Sequence, residues 1–111
     1  MMNEVAYPSD ALENHEDVTK VVVERFDYRR FGMQEKYQYL FKFDNGYTVS
    51  VITGFGAYGN VDAPYELGLM ESDGSMVSLE GVTDEGEPIS GYNTEEEILD
   101  KLKKVKSLGV K

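Results

Sequence analysis

Apolar and polar residues alternate through the middle of this chain. Over 36–43, Tyr37, Tyr39, Phe41 and Phe43 take every second position, with Lys36, Gln38, Leu40 and Lys42 between them. A period of two marks a strand with one buried face. Residues 47–53 continue it, with Tyr47, Val49 and Val51 on one side and Thr48 and Ser50 on the other. Upstream, Val21, Val22, Val23, Phe26 and Tyr28 predict a strand over about 19–28, because β-branched and aromatic residues suit a pleated surface.

The turn between the two central strands can be chosen by pattern. A two-residue Asn45-Gly46 turn would set Phe41 against Ser50, whereas a three-residue loop over 44–46 sets Phe43 against Tyr47, Phe41 against Val49 and Tyr39 against Val51. A slip of one residue moves every side chain to the other face, so only the longer loop gives one apolar face. It predicts a type I turn with Gly46 in the left-handed position of a G1 bulge. The same reasoning applies to 65–79, where a Ser72-Asp73-Gly74 loop pairs Leu69 with Val77 and Leu67 with Leu79.

The pattern then changes to helical spacing. Ile98, Leu102 and Val105 recur on one face with Leu99 beside them, and Thr94 followed by Glu97 forms a capping box. Glu95, Glu96 and Glu97 suit the positive helix end, lysines fill the last turns, and Gly109 is the expected C′ residue. The elements together predict an α+β fold, an antiparallel meander of four to five strands with one C-terminal helix packed on a face. Residues 1–17, polar and acidic with Pro8, read as an N-terminal arm, and 18–111 as a single domain.

Composition narrows the function. The 111 residues carry 21 acidic and 11 basic side chains for a formal charge of -10, too little spare positive charge to neutralise phosphates, so no direct nucleic-acid binding is expected. No apolar run approaches the ~20 residues that cross a bilayer, and the N-terminus lacks a basic-then-apolar signal pattern. No cysteine is present, which excludes disulfides and thiolate metal sites. The charge is also uneven. Residues 1–42 hold 8 acids and 6 bases, 43–100 hold 13 acids and no Lys or Arg, and the last eleven residues carry five lysines. Half the chain is therefore acidic and free of bases.

Candidate chemistry is sparse. Gly54-Phe55-Gly56-Ala57-Tyr58-Gly59 is a literal G-x-G-x-x-G after a strand, but Asn60-Val61-Asp62-Ala63-Pro64 follows it where a dinucleotide site needs a helix start. A glycine-permitted loop between strands is the better reading. Phe55, Tyr58, Val61 and Tyr65 cluster in it, and core packing is the first expectation for them, with a protein contact second. His15 is the sole histidine and lies in the arm, so no triad or metal site is expected, and no cofactor. Glu71-Ser72-Asp73-Gly74 and Asp84-Glu85-Gly86-Glu87 lack the alternating ligand spacing of a calcium loop and read as turns. The acids of 62–87 fall mostly in loops and on outward strand positions, an arrangement that allows a continuous acidic patch. Such a face serves either solubility or a partner with a basic surface.

The run YLFKFDNGYTVSVITGFGAYGNVDAPYELGLMESDG, followed after a gap by EEEILDKLKK, resembles small uncharacterised acidic proteins of tailed bacteriophages. The likeness spans about 37–108 and rests on short structural motifs. It brings no catalytic residues, and it implies an accessory protein acting in the cytoplasm of an infected bacterial host. The resulting expectation is a non-enzymatic protein that binds and modulates or inhibits a host protein, such as a nucleic-acid-handling or defence protein. The candidate contact residues are Phe55, Tyr58, Asp62, Glu66, Asp73, Asp84, Glu85 and Glu87. The alternatives are a structural or assembly subunit that forms a homo-oligomer through a sheet edge, and a small carboxylate-based enzyme.

Overall fold

A computed structural model describes residues 22–27, 36–54, 56–60 and 62–108. Five strands lie in chain order in one antiparallel sheet: β1 (Val22–Asp27), β2 (Lys36–Lys42), β3 (Thr48–Gly54), β4 (Tyr65–Met70) and β5 (Ile89–Asn93). One helix, α1 (Glu95–Lys106), follows. The α+β meander expected from the pattern is the observed fold. The arm at 1–17 with His15, as well as Phe55, Val61 and Gly109, lies outside the described residues.

The β2–β3 hairpin takes the three-residue loop. Phe41 pairs with Val49 and Tyr39 with Val51, the Phe43 N–H donates to the Tyr47 carbonyl at 2.9 Å, and Gly46 sits at φ 93°. Tyr39, Phe41, Val49, Val51, Leu67 and Leu69 then share one face, on which Ile98, Leu102 and Val105 of α1 close the core. Asn45 has a second role that its place in a turn conceals. Its Nδ2 reaches across to the carbonyls of Val105 at 2.8 Å and Leu108 at 3.1 Å. The turn thereby adds a side-chain donor to the Val105 carbonyl, which also accepts from the Leu108 N–H at 3.1 Å, and ties down the residues just past the helix end.

The second hairpin is shorter than the pattern predicts. The turn over 72–74 forms, with Gly74 at φ 87° and the Val77 N–H donating to the Leu69 carbonyl at 3.0 Å. Pairing then stops after a single bridge, Met70 to Met76. The chain curls at Leu79, whose carbonyl accepts from the N–H groups of Val82 and Thr83, and Thr83 Oγ1 accepts from the Leu79 N–H at 2.8 Å. Leu67 therefore pairs with Ser90 rather than Leu79, and the fifth strand is 89–93.

The capping box is complete. Thr94 Oγ1 accepts from the Glu97 N–H at 3.1 Å and Glu97 Oε1 from the Thr94 N–H at 2.8 Å. The Thr94 N–H first, and the Thr94 hydroxyl second, hold the Glu97 carboxyl below its ordinary value. A carboxylate lowered in the fold contributes fully above the unfolded glutamate value, and its contribution fades as pH falls through the lowered folded value. Thr94→Ala is expected to cost about 1 kcal/mol. Glu97→Gln, which keeps the reciprocal bond, is expected to remove that residue's share of the acid-side loss of stability. Thermal melts from neutral to acid pH on the three proteins check both, and a Gln variant with an unchanged acid limb contradicts the assignment.

Candidate functional site

The meander sends the acidic residues to two ends. The loop joining β3 to β4 and the start of α1 lie at one end, whereas the 71–88 segment and the 44–46 turn lie at the other. Six residues of β4 hold these ends ~20 Å apart. Asp62 and Glu66 are at the first end, and Asp73, Asp84, Glu85 and Glu87 at the second. The candidate acids therefore lie at two ends of the sheet rather than at one.

At the second end Asp73 closes its own turn, while Asp84, Glu85 and Glu87 are exposed and their loop is held by backbone bonds. Asp73 Oδ1 accepts from the Ser75 N–H at 2.8 Å, and this backbone bond leads the causes that lower its carboxyl. The Asp84 N–H donates to the Ile89 carbonyl, and the Glu87 N–H to the Asp84 carbonyl, both at 2.9 Å. The loop encloses an open polar groove of about 550 Å³ that includes Leu79, Glu80, Thr83, Asp84 and Glu85. Basic side chains border it. Lys104 Nζ reaches the Gly81 carbonyl at 3.3 Å, and Asp84 acts on Lys101 through its charge.

The first end is built differently. A β-bulge interrupts the β4–β5 ladder: Tyr65 pairs with Asn93 and Leu67 with Ser90, so Gly91 and Tyr92 together oppose Glu66. Bulges re-aim side chains. Here Tyr92 takes a left-handed backbone, φ 56°, at a cost of about 1–3 kcal/mol for a residue of its size, and is left 57% exposed. Tyr58 is placed beside it. Its carbonyl accepts from the Tyr92 N–H at 2.8 Å, its own N–H donates to Glu66 Oε1 at 2.9 Å, and it is also 57% exposed. Gly91 is required for this approach, since a Cβ there would meet Tyr58 Cβ at 2.8 Å. The core packing expected for the loop aromatics is thus met by Tyr65, which is buried, and not by Tyr58. Burial pushes the Tyr65 hydroxyl above the ordinary phenol range, with Tyr39 and Glu95 adding to the effect.

Sequence reasoning passed over Tyr92 and one polar cluster beneath it. Asn93 and Ser90 are buried on the helix side. Lys101 Nζ donates to Ser90 Oγ at 2.7 Å and to Asn93 Oδ1 at 2.6 Å. A serine beside a lysine is the outline of a nucleophile and its base. In this geometry the ammonium donates to two acceptors and Ser90 is 2% exposed, which is the arrangement of a clasp between strand and helix. Burial lowers the Lys101 ammonium below the ordinary lysine value, and the charges of Asp84 and Glu97 oppose that shift.

Among the described residues, no group of three His, Cys, Asp or Glu side chains is placed to hold a metal ion, and no helix is long and apolar enough to cross a membrane. Phe55 lies outside the described residues, so the candidate contact residues brought together at the first end are Tyr58, Asp62 and Glu66, joined by Tyr92 and the helix start. Compared with known protein families, curated proteins and solved structures, the chain matches none.

Proposed function

We propose that the chain is a phage-type accessory protein that binds and modulates or inhibits a host protein, without catalysing a reaction, in the cytoplasm of an infected bacterium. The contact surface is the end of the sheet that carries Tyr58, Asp62, Glu66 and Tyr92, and the partner presents a basic surface. One observation carries this reading: two exposed tyrosines, joined through the Tyr92 N–H to Tyr58 carbonyl bond, stand at an end built from segments 56–66 and 91–97. Both segments fall within the part of the sequence that has no Lys or Arg. Exposed aromatics bury large rigid area at low entropy cost, and a net acidic field steers a basic partner. The resemblance of its short motifs to those of phage proteins is the ground for the cellular setting.

The test is capture of partners from a bacterial lysate by the tagged chain at low and high salt. Asp62→Lys with Glu96→Lys changes two exposed carboxylates at the tyrosine end. It is expected to cut the retained partner about tenfold, or about 1.4 kcal/mol. Reversal of Asp84, Glu85 and Glu87 to Lys is expected to leave capture within about twofold. Retention only of further copies of the chain, indifferent to salt, overturns the reading in favour of a self-assembling subunit.

A further inference from the structure

We infer that Tyr58 and Tyr92 together form a recognition site for a cationic side chain of the partner, with arginine preferred over lysine. The inference rests on the reading above and names the chemistry of the contact.

The backbone supplies the first reason. Of the described residues that are not glycine, Tyr92 is the one with a positive φ, a conformation that glycine or asparagine takes at less cost. A tyrosine whose ring is mostly in solvent recovers little of that cost from the core. What the position gains from tyrosine is the ring itself, presented outward. The second reason is rigidity. Tyr58 is fixed by its bonds to Tyr92 and Glu66 and by its close seat on Gly91, so the two rings project from backbones already joined. The third is charge. Aromatic faces attract cations, and Asp62, Glu66, Glu95 and Glu96 at the same end outnumber Lys36 at the start of β2 and Lys101 on Asn93. A neutral apolar partner would gain nothing from that field, and an acidic one would be repelled. Arginine is favoured because its planar, weakly hydrated guanidinium stacks on aromatic rings.

The experiment titrates the full chain with hexa-arginine, hexalysine and a neutral hexapeptide, followed by calorimetry and by NMR of the tyrosine rings. Hexa-arginine is expected to bind more tightly than hexalysine and to shift the rings of Tyr58 and Tyr92, with the neutral peptide inert. Tyr58→Leu and Tyr92→Asn are each expected to weaken hexa-arginine about two- to fivefold, while Tyr58→Phe and Tyr92→Phe retain it. Tyr92→Asn has a second readout that a structural role would not give: its melting temperature is expected to equal or exceed that of the wild type. Equal, still salt-sensitive binding by the wild type and the Leu/Asn double variant overturns the cation site and leaves the acidic-surface reading standing. Absence of peptide binding by the wild type also overturns the cation site, and lysate capture then decides the broader reading independently.

Discussion

Phe41→Ala is expected to destabilise the protein by about 3–5 kcal/mol, the range for truncating a fully buried phenylalanine. The side chain is wholly enclosed, its backbone pairs with Val23 on one side and Val49 on the other, and its ring stacks on Tyr39 with centroids 6.1 Å apart. Little can collapse into the space because the strands on both sides are held by ladder hydrogen bonds and α1 closes the face. Against a total stability of about 5–15 kcal/mol for a domain, that loss removes about a fifth or more. The midpoint should fall by at least ~12 °C. Leu40→Ala is the informative companion, because Leu40 neighbours Phe41 in sequence but lies half-buried on the opposite face. Its cost is expected to be less than half that of Phe41→Ala in urea or thermal unfolding. Equal costs would mean that the core does not lie on the face the pairing assigns.

That contrast also shows how the sequence encodes this fold. Alternation of aromatic with polar residues in 36–43 and 47–53 leaves a single register compatible with one apolar face, so a physical rule about pleat and parity suffices for β2 and β3. The capping box at Thr94 and Glu97 is as legible, because both halves of it are local. β5 was not. Ile89-Ser90-Gly91-Tyr92-Asn93 contains serine, glycine and asparagine, poor strand formers by packing, and its place in the sheet is set by contacts from elsewhere. Asn93 bonds the Tyr65 carbonyl across the ladder, and Lys101 reaches in from the helix. Val77 and Leu79 have better strand composition, yet they lose the competition for β4 once the chain turns at Leu79 and Thr83. Tyr92 was hidden for the same reason, since a bulge is a property of two strands and not of one. The acids were legible as a total but not as a surface. Several carry local duties, with Glu66 holding Tyr58, Asp73 closing its turn, Glu97 capping α1 and Asp100 pairing with Lys104 at 3.2 Å.

The clasp under Tyr92 gives the other large effect. Asn93→Leu is expected to cost about 2–4 kcal/mol, although leucine is the more apolar residue at a buried site. Asn93 Nδ2 donates to the Ser90 carbonyl at 2.8 Å and the Tyr65 carbonyl at 3.2 Å, while Oδ1 accepts from Lys101. Removing the amide leaves two carbonyls short of a donor and a partly buried ammonium with one acceptor fewer, and each such loss is worth about 1–3 kcal/mol. The alkaline limb carries a second signature. With its folded value lowered by burial, Lys101 loses its proton in the native state before the unfolded chain does. Its desolvation cost is therefore in force below the folded value and is relieved as pH rises from there to the ordinary lysine value. Taking away the Asn93 acceptor lowers the folded value further, so that window should widen toward neutral pH in Asn93→Leu and vanish in Lys101→Met. Because apolar replacement of both partners of a buried polar contact can be nearly neutral, Asn93→Leu with Lys101→Met should cost less than the two single changes added together. Chemical unfolding of the four proteins closes that cycle. Strict additivity would show that Asn93 and Lys101 do not act as one unit, and the bulge that presents Tyr92 would then have to be held by the strand ladder alone.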